Sequence, residues 1–438
     1  MAGSASPRGL RRFRLRNGLE VALAPIPGAT TTSVWVWYRV GSKNERPGIT
    51  GASHWVEHML FLGSPKYPKG AIDRAVVEVG GTLNAFTDCD FTAYFTTVPA
   101  EHLDVPLDIE ADRMTRAAIV PAEVERERTV VRSEREGNEN WPEFLAEEEL
   151  YHLAFRAHPY RWDQLGLPGD IVQLTPADLK AYYRRFYGPR NALLVIAGGF
   201  DPRRLRPDVV RRFGRLPPIG DDPVVRQDEP PPTADRRAAL RGPGTTPFLV
   251  MGWGAPAVDG ADAPAAIVLD VLLGGESRLF SPDGGWGRAR DHPASGLYRR
   301  LVAPGLAVRA TSEYRPRVHP GLFTVQAQAA PGVALERIEA GIAAAVKRLV
   351  DRGPTAGELA EVRVKIAQGR ALAYEGATRT GFRLGYLSML GPPGLEATLL
   401  RRIAALRPKD VHAAAGRLFA PTARSTVTYH PTGGPGAG

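Results

Sequence analysis

A block of sequence in the first half of the chain recurs in the second half, and this repeat constrains the fold more than any other feature. Leu174-Thr175-Pro176-Ala177-Asp178-Leu179, followed by Phe186-Tyr187-Gly188-Pro189, aligns without gaps to Leu406-Arg407-Pro408-Lys409-Asp410-Val411 and Leu418-Phe419-Ala420-Pro421. Each copy reads as a capped helix stopped at a proline. A strand-like run follows each, Leu193 to Ile196 and Ser425 to Tyr429. A duplicated helix-then-strand order predicts two α+β domains of one ancestral design. The length agrees, because 438 residues are too many for one simple core. The stretch 217–232 carries Pro230-Pro231-Pro232 among acids and reads as an extended connection. The expected division is therefore 1–215, a Pro-rich linker over 216–245, and 246–438.

The spacing of apolar residues predicts strands at Gly18 to Ala24 and at Thr31 to Val40, with Val34, Val36, Tyr38 and Val40 on one face. Further strands are expected at Thr82 to Thr87, Thr92 to Val98 and Ala192 to Ala197. Helices are expected at Ala71 to Val79, Leu103 to Arg116, Pro121 to Glu136, Trp141 to Ala154 and Pro176 to Phe186. The second half repeats this alternation: strands at Thr246 to Trp253, Ala307 to Ser312 and Gly321 to Gln328, and helices at Ala261 to Leu273 and Ala334 to Asp351.

Only the first half carries a metal-ligand pattern, His54-Trp55-Val56-Glu57-His58. On a helix from Thr50 to about Leu62, His54 and His58 lie one turn apart on one face, and both rings reach a single ion. Glu57 points toward the same face. A carboxylate there is what a zinc peptide hydrolase uses as its general base. Thr50 is the expected N-cap, and Gly63-Ser64-Pro65 ends the helix. The alternative is a pair of core histidines, but two His and a Glu inside a short apolar helix are costly to bury unless paired or metal-bound. A catalytic zinc usually takes a third protein ligand. The helix Pro121 to Glu136, with Gly137 just past its end, offers candidates. Glu127 and Glu134 are seven apart and share a face, whereas Glu123, Glu125 and Glu136 read as solvated.

Composition narrows the remaining classes. The hydrophobic fraction is 43% and the charged fraction 24%, as in soluble globular proteins. No apolar run is long enough to span a membrane, and Met1 to Arg16 lacks the apolar stretch of a secretory signal, so a cytoplasmic location is expected. The net charge of +9 comes from scattered arginines without a nucleic-acid motif, so neither nucleic acid nor membrane is an expected partner. The single cysteine, Cys89, excludes an internal disulfide framework and reads as a small buried residue. His102, His152, His158, His292, His319, His412 and His430 receive no chemical role.

With His54-x-x-Glu57-His58 followed by Glu134 on a later helix, the chain resembles the pitrilysin (M16) metallopeptidase family of inverzincins, whose signature is H-x-x-E-H. Within it the chain is similar to the half-length members related to mitochondrial processing peptidase. Further landmarks are Asn17-Gly18-Leu19, Gly41-Ser42 with Glu45, Phe61 with Gly63, and Gly81 with Asn84-Ala85 and Thr87. His158-Pro159-Tyr160 and Tyr187, Pro189, Asn191-Ala192 complete the set. The resemblance implies two homologous α/β-sandwich domains, each an antiparallel-rich sheet flanked by helices, of the LuxS/metallopeptidase-like kind. It also implies one zinc per chain on His54, His58 and Glu134. Glu57 would be the base, Glu127 a supporting acid that does not take the metal, and Asn84-Ala85 the strand edge along which substrate lies. The implied activity is zinc-dependent hydrolysis of extended peptides or unfolded segments, as the catalytic subunit of a two-chain clamshell. The alternative within the family is a non-catalytic structural or assembly subunit.

The second half departs from the family pattern. After Leu273-Gly274-Gly275-Glu276-Ser277 comes a Gly/Pro/Asp-rich insertion, Ser281 to Ala294, read as a surface loop. The family's substrate-holding Arg and Tyr then fall on Val302 and Val308, and the register through Arg278, Leu279 and Phe280 does not restore the pair. A paralogous partner chain bearing that Arg/Tyr pair is therefore expected, with a homodimer as the alternative.

Overall fold

The computed structural model describes residues 7–221, 224–281, 292–420 and 424–433, so most of the 281–294 insertion lies outside the described residues. Two sheets form, each flanked by helices. The first runs in the order β1-β2-β6-β3-β5-β4, from Arg11–Arg14 (β1), Glu20–Pro25 (β2), Thr31–Tyr38 (β3), Thr82–Thr87 (β4), Thr92–Pro99 (β5) and Ala192–Gly198 (β6). The second runs β7-β11-β8-β10-β9, from Arg236–Gly242 (β7), Phe248–Ala255 (β8), Ala307–Tyr314 (β9), Gly321–Ala329 (β10) and Arg424–Pro431 (β11). Leaving out β1, the two sheets share one pattern of directions. β2–β6 and β7–β11 are parallel, and every later pairing is antiparallel. β6 begins at Ala192 and β11 at Arg424, the same offset that separates Leu174 from Leu406 in the sequence repeat.

The chain does not divide at one point. Among the described residues, one compact unit comprises those within 1–136, 162–227 and 374–389; the other comprises those within 137–161, 228–373 and 390–438. The helix Pro142–Ala154, which sequence order assigns to the first half, belongs to the second unit and buries Ala146 and Leu150. Leu150 seats against Gly252 of β8, where a Cβ would lie 3.1 Å from its Cδ2. The helix Gly376–Leu390 belongs to the first unit as far as Met389, and there Gly381 and Gly385 lie flat on the Trp35 and Trp37 rings. Shifted by the offset of the repeat, the first of these helices falls on the second. The duplicated halves have thus exchanged corresponding helices, which no periodicity in a sequence reports. The expected linker over 216–245 also contains β7, paired in parallel with β11.

Alternation along β3 separates the two faces of the first sheet. Val34, Val36 and Tyr38 face one core, built with Trp55, Val56 and Met59 from the helix Ala52–Met59 and with Leu179, Tyr183 and Phe186 from the helix Pro176–Phe186. Trp35 and Trp37 face the other way and meet Phe86, Phe91, Phe95 and Phe382; the Trp35 and Phe95 rings stack with centroids 4.2 Å apart. The charge pair Arg113–Glu110 is buried, with two hydrogen bonds of 2.6 and 2.9 Å and the guanidinium over the Tyr94 ring. Among the described residues no helix is long and apolar enough to cross a membrane.

Candidate metal and catalytic site

The helix that carries the histidines is short, Ala52–Met59. It begins at Gly51, whose φ of 87° is left-handed and favours glycine. Thr50 does not act as the N-cap expected of it. Its hydroxyl donates to Asp170 at 2.6 Å and accepts from the Leu167 N–H at 2.9 Å, tying the approach to the helix down instead. The second acidic helix runs from Pro121 to Glu139, so Gly137 lies inside it rather than past its end. A glycine there costs about 1 kcal/mol, too little to stop a helix otherwise made of good formers.

These two helices bring His54, His58 and Glu134 to one point. The two Nε2 atoms lie 3.1 Å apart, and Glu134 Oε2 is 3.5 Å from that of His54 and 3.4 Å from that of His58. With metal–nitrogen bonds of about 2.0–2.1 Å, neighbouring atoms of a zinc tetrahedron stand about 3.3–3.4 Å apart. The three atoms therefore form one face of such a tetrahedron, and the donor set of two imidazoles and a carboxylate suits zinc. Without a metal, the same 3.1 Å separation fits a hydrogen bond from a protonated His58 to the neutral His54, so a proton or a cation can occupy this point.

Glu127 grips the opposite side of His58, with Oε1 2.8 Å from Nδ1. Seven residues of helix rise about 10.5 Å, which lets Glu127 and Glu134 flank one ring from two turns. A carboxylate on Nδ1 fixes that nitrogen as the donor and leaves Nε2 free to ligate. Desolvation lowers the His58 pKa, but the hydrogen bonds to Glu127 and Glu134 outweigh it and push it up to about 9. Burial, assisted by the neighbouring His58, lowers His54 to about 4, so this imidazole is neutral and its Nε2 lone pair available. His54 Nδ1 is buried without a hydrogen-bond partner. The hydrogen bond from His58 holds the Glu134 carboxyl below its usual range.

Glu57 is 8% exposed. Burial raises its carboxyl to about 7, against a hydrogen bond donated by Thr87 Oγ1 at 2.6 Å, which favours the anion. Thr92, 3.4 Å away, gives its own hydroxyl proton to the Val40 carbonyl, and the shorter contact directs the Thr87 proton to Glu57. Thr87 ends β4, one of the two edge strands of the first sheet. Asn84 and Ala85 lie on this same strand, paired on one side with Phe95 and Tyr94. The Ala85 N–H is engaged at 2.8 Å by the Asn84 side chain. Glu123, Glu125 and Glu136 pair with Lys69, Arg128 and Arg132.

Two residues near the site were not assigned chemistry from sequence. Glu45, buried at 4% exposure, accepts the Gly51 and Ser53 N–H groups, and desolvation raises its carboxyl to about 8. Asp170 accepts the Gly48 and Thr50 N–H groups at 3.0 and 3.1 Å. A helix opening at Gly-Ala without a capping side chain was the available signal that acids from elsewhere must serve its N–H groups.

Two family models match the chain. One described as insulinase (peptidase family M16) covers residues 20–165, and one described as peptidase M16 inactive domain covers residues 173–365. The chain therefore belongs to the M16 peptidase family. Among curated proteins, the zinc protease PqqE of Helicobacter pylori is 27% identical over 424 residues, 95% of this chain and 92% of that protein. The mitochondrial-processing peptidase subunit beta of Blastocladiella emersonii is 27% identical over 384 residues, 85% of this chain and 78% of that protein. The crystal structure of a protease from Helicobacter pylori has the same fold, with a TM-score of 0.89 at 24% identity over 96% of this chain and 99% of that one.

Proposed function

We propose that this chain is a zinc-dependent endopeptidase acting on extended peptides or unfolded segments. The observation that carries the reading is the triangle of His54, His58 and Glu134 with a buried Glu57 beside it. His54, His58 and Glu134 would hold one zinc ion, and Glu127 orients His58 without reaching the metal. Zinc held there supplies Lewis-acid chemistry, lowering the pKa of water and polarising a carbonyl. Glu57 takes the proton of the attacking water and later delivers it to the leaving amine, and a pKa near neutrality suits both transfers. Thr87 holds the Glu57 carboxylate in place meanwhile. A peptide adding to the open side of β4 at Asn84 and Ala85 is recognised by its main chain, which supports broad selectivity for segments free to extend.

The test is hydrolysis of an unfolded reporter peptide by protein holding one zinc per chain. Cleavage that a chelator abolishes and zinc restores supports the reading. A zinc-loaded protein that cleaves no unfolded peptide, alone or with a paralogue, contradicts it and favours a non-catalytic assembly subunit.

A two-chain arrangement is favoured by Val302 and Val308. Val308 lies on β9, an edge strand of the second sheet, and is 52% exposed, while Arg278 pairs with Glu313 at 3.3 Å. A paralogous chain would then supply the Arg and Tyr that hold substrate. Equal activity of the purified chain alone and of its mixture with the paralogue excludes this; a homodimer is then the arrangement left.

A further inference from the structure

The helix bearing His54, Glu57 and His58 cannot cap itself. Gly51, at its N-cap, has no side chain, and any other residue there would be strained by the φ of 87° and would place a Cβ 2.9 Å from the Leu165 carbonyl oxygen. The N–H groups at the start of the helix need acceptors from outside. Glu45 supplies them with both oxygens, Oε2 to Gly51 N at 2.8 Å and Oε1 to Ser53 N at 2.7 Å. Ser53 directly precedes His54.

Glu45 is itself anchored to the far side of the site. It follows the short turn Ser42–Asn44, whose Ser42 and Lys43 N–H groups bond the Asp88 and Cys89 carbonyls at 3.4 and 3.1 Å. Lys43 also forms a buried ion pair with Asp90 at 2.8 Å. This loop follows directly from Thr87, the partner of Glu57. One connected set of hydrogen bonds thus joins the end of β4 to the start of the metal helix. Asp170 holds the preceding turn and not the helix, because its contacts are Gly48 and Thr50.

We propose that Glu45 is a positioning residue of the metal site: its two carboxyl oxygens fix where the helix begins, and so where His54 stands relative to Glu134. The inference rests on the zinc reading above, but not on hydrolysis. Glu45→Gln keeps the shape and loses one of two acceptors, leaving an N–H group facing a side-chain NH2. Competition with a chelator is expected to show zinc binding weakened about tenfold, the lower end of the range for groups that support metal ligands. Turnover of a reporter peptide is expected to fall in kcat with KM little changed, since the Glu45 carboxyl bonds the helix and not the Asn84-Ala85 edge. Thr355→Ala serves as control. It removes a cap of the same kind from the helix Ala356–Leu372 in the other unit, and is expected to lower Tm with zinc affinity unchanged. Zinc affinity of Glu45→Gln equal to that of the parent, with Tm lowered as in the control, overturns the proposal. If Glu45→Gln does not fold, amide exchange in the unaltered zinc-free protein decides: protected Gly51 and Ser53 amides are expected, and exchange as fast as in exposed loops overturns it. Tight zinc binding without peptide cleavage would count against the peptidase reading alone.

Discussion

Replacing Thr87 with Val is expected to move the pH profile of catalysis without moving the metal. The hydroxyl donates to Glu57 Oε2 at 2.6 Å, and both groups are buried. A hydrogen bond to a charged group contributes about 1.5–3 kcal/mol. That bond exists for the carboxylate and stabilises the deprotonated form, so its loss raises the Glu57 pKa. At about 1.36 kcal/mol per pKa unit, the rise is about one to two units. Valine matches threonine in volume and suits a strand, and Thr92 keeps its own bond to the Val40 carbonyl at 2.9 Å. Activity falls at low pH as the base becomes protonated, so the acid limb of kcat/KM should move to higher pH by that amount. Zinc content, measured on the same samples, should stay at one ion per chain. An acid limb within about 0.3 pH units of the unaltered protein's refutes the assignment of Glu57 as the base held by Thr87.

Three further outcomes follow from the same geometry. Glu127→Gln weakens the grip on His58 Nδ1, and zinc affinity should drop about 10–100-fold; unchanged affinity removes Glu127 from the site. In the zinc-free protein, burial raises Glu45 to about 8 and Asp270 to about 8, and His58 stands at about 9 because its bonds to Glu127 and Glu134 outweigh desolvation. Each raised group contributes stability that is complete below its unfolded value and lost as pH rises through the folded one, so Tm should fall between about pH 7 and 9; a Tm that rises over that interval contradicts these environments. Gly385→Ala would bring a Cβ to 2.0 Å from Trp37 Nε1 and should cost about 1–3 kcal/mol of stability, read in denaturant melts.

Much of the site was readable because it obeys helical arithmetic. Residues four apart and seven apart share a face, so His54 with His58, and Glu127 with Glu134, could each be paired from spacing alone. Val34, Val36 and Tyr38 were likewise legible from alternation, and all three enter one core. What spacing could not give was which helix lies on which sheet. Pro142–Ala154 and Gly376–Leu390 cover sheets far from their neighbours in sequence, because a long chain closes such loops at little entropic cost. The contacts of Thr87 with Glu57 and of Glu45 with Gly51 and Ser53 are also set by the tertiary fold, and neither leaves a periodic trace. Thr50 looked like the cap because a threonine before a helix usually is one; here Asp170 takes its hydroxyl and Glu45 takes the helix.

The most direct test is Glu57→Gln, assayed for bound zinc and for cleavage of an unfolded peptide in the same preparation. His54, His58 and Glu134 are untouched, so one zinc per chain should remain while hydrolysis disappears. Cleavage persisting at the parent's rate would contradict the account, because the proton would then be leaving the attacking water by another route.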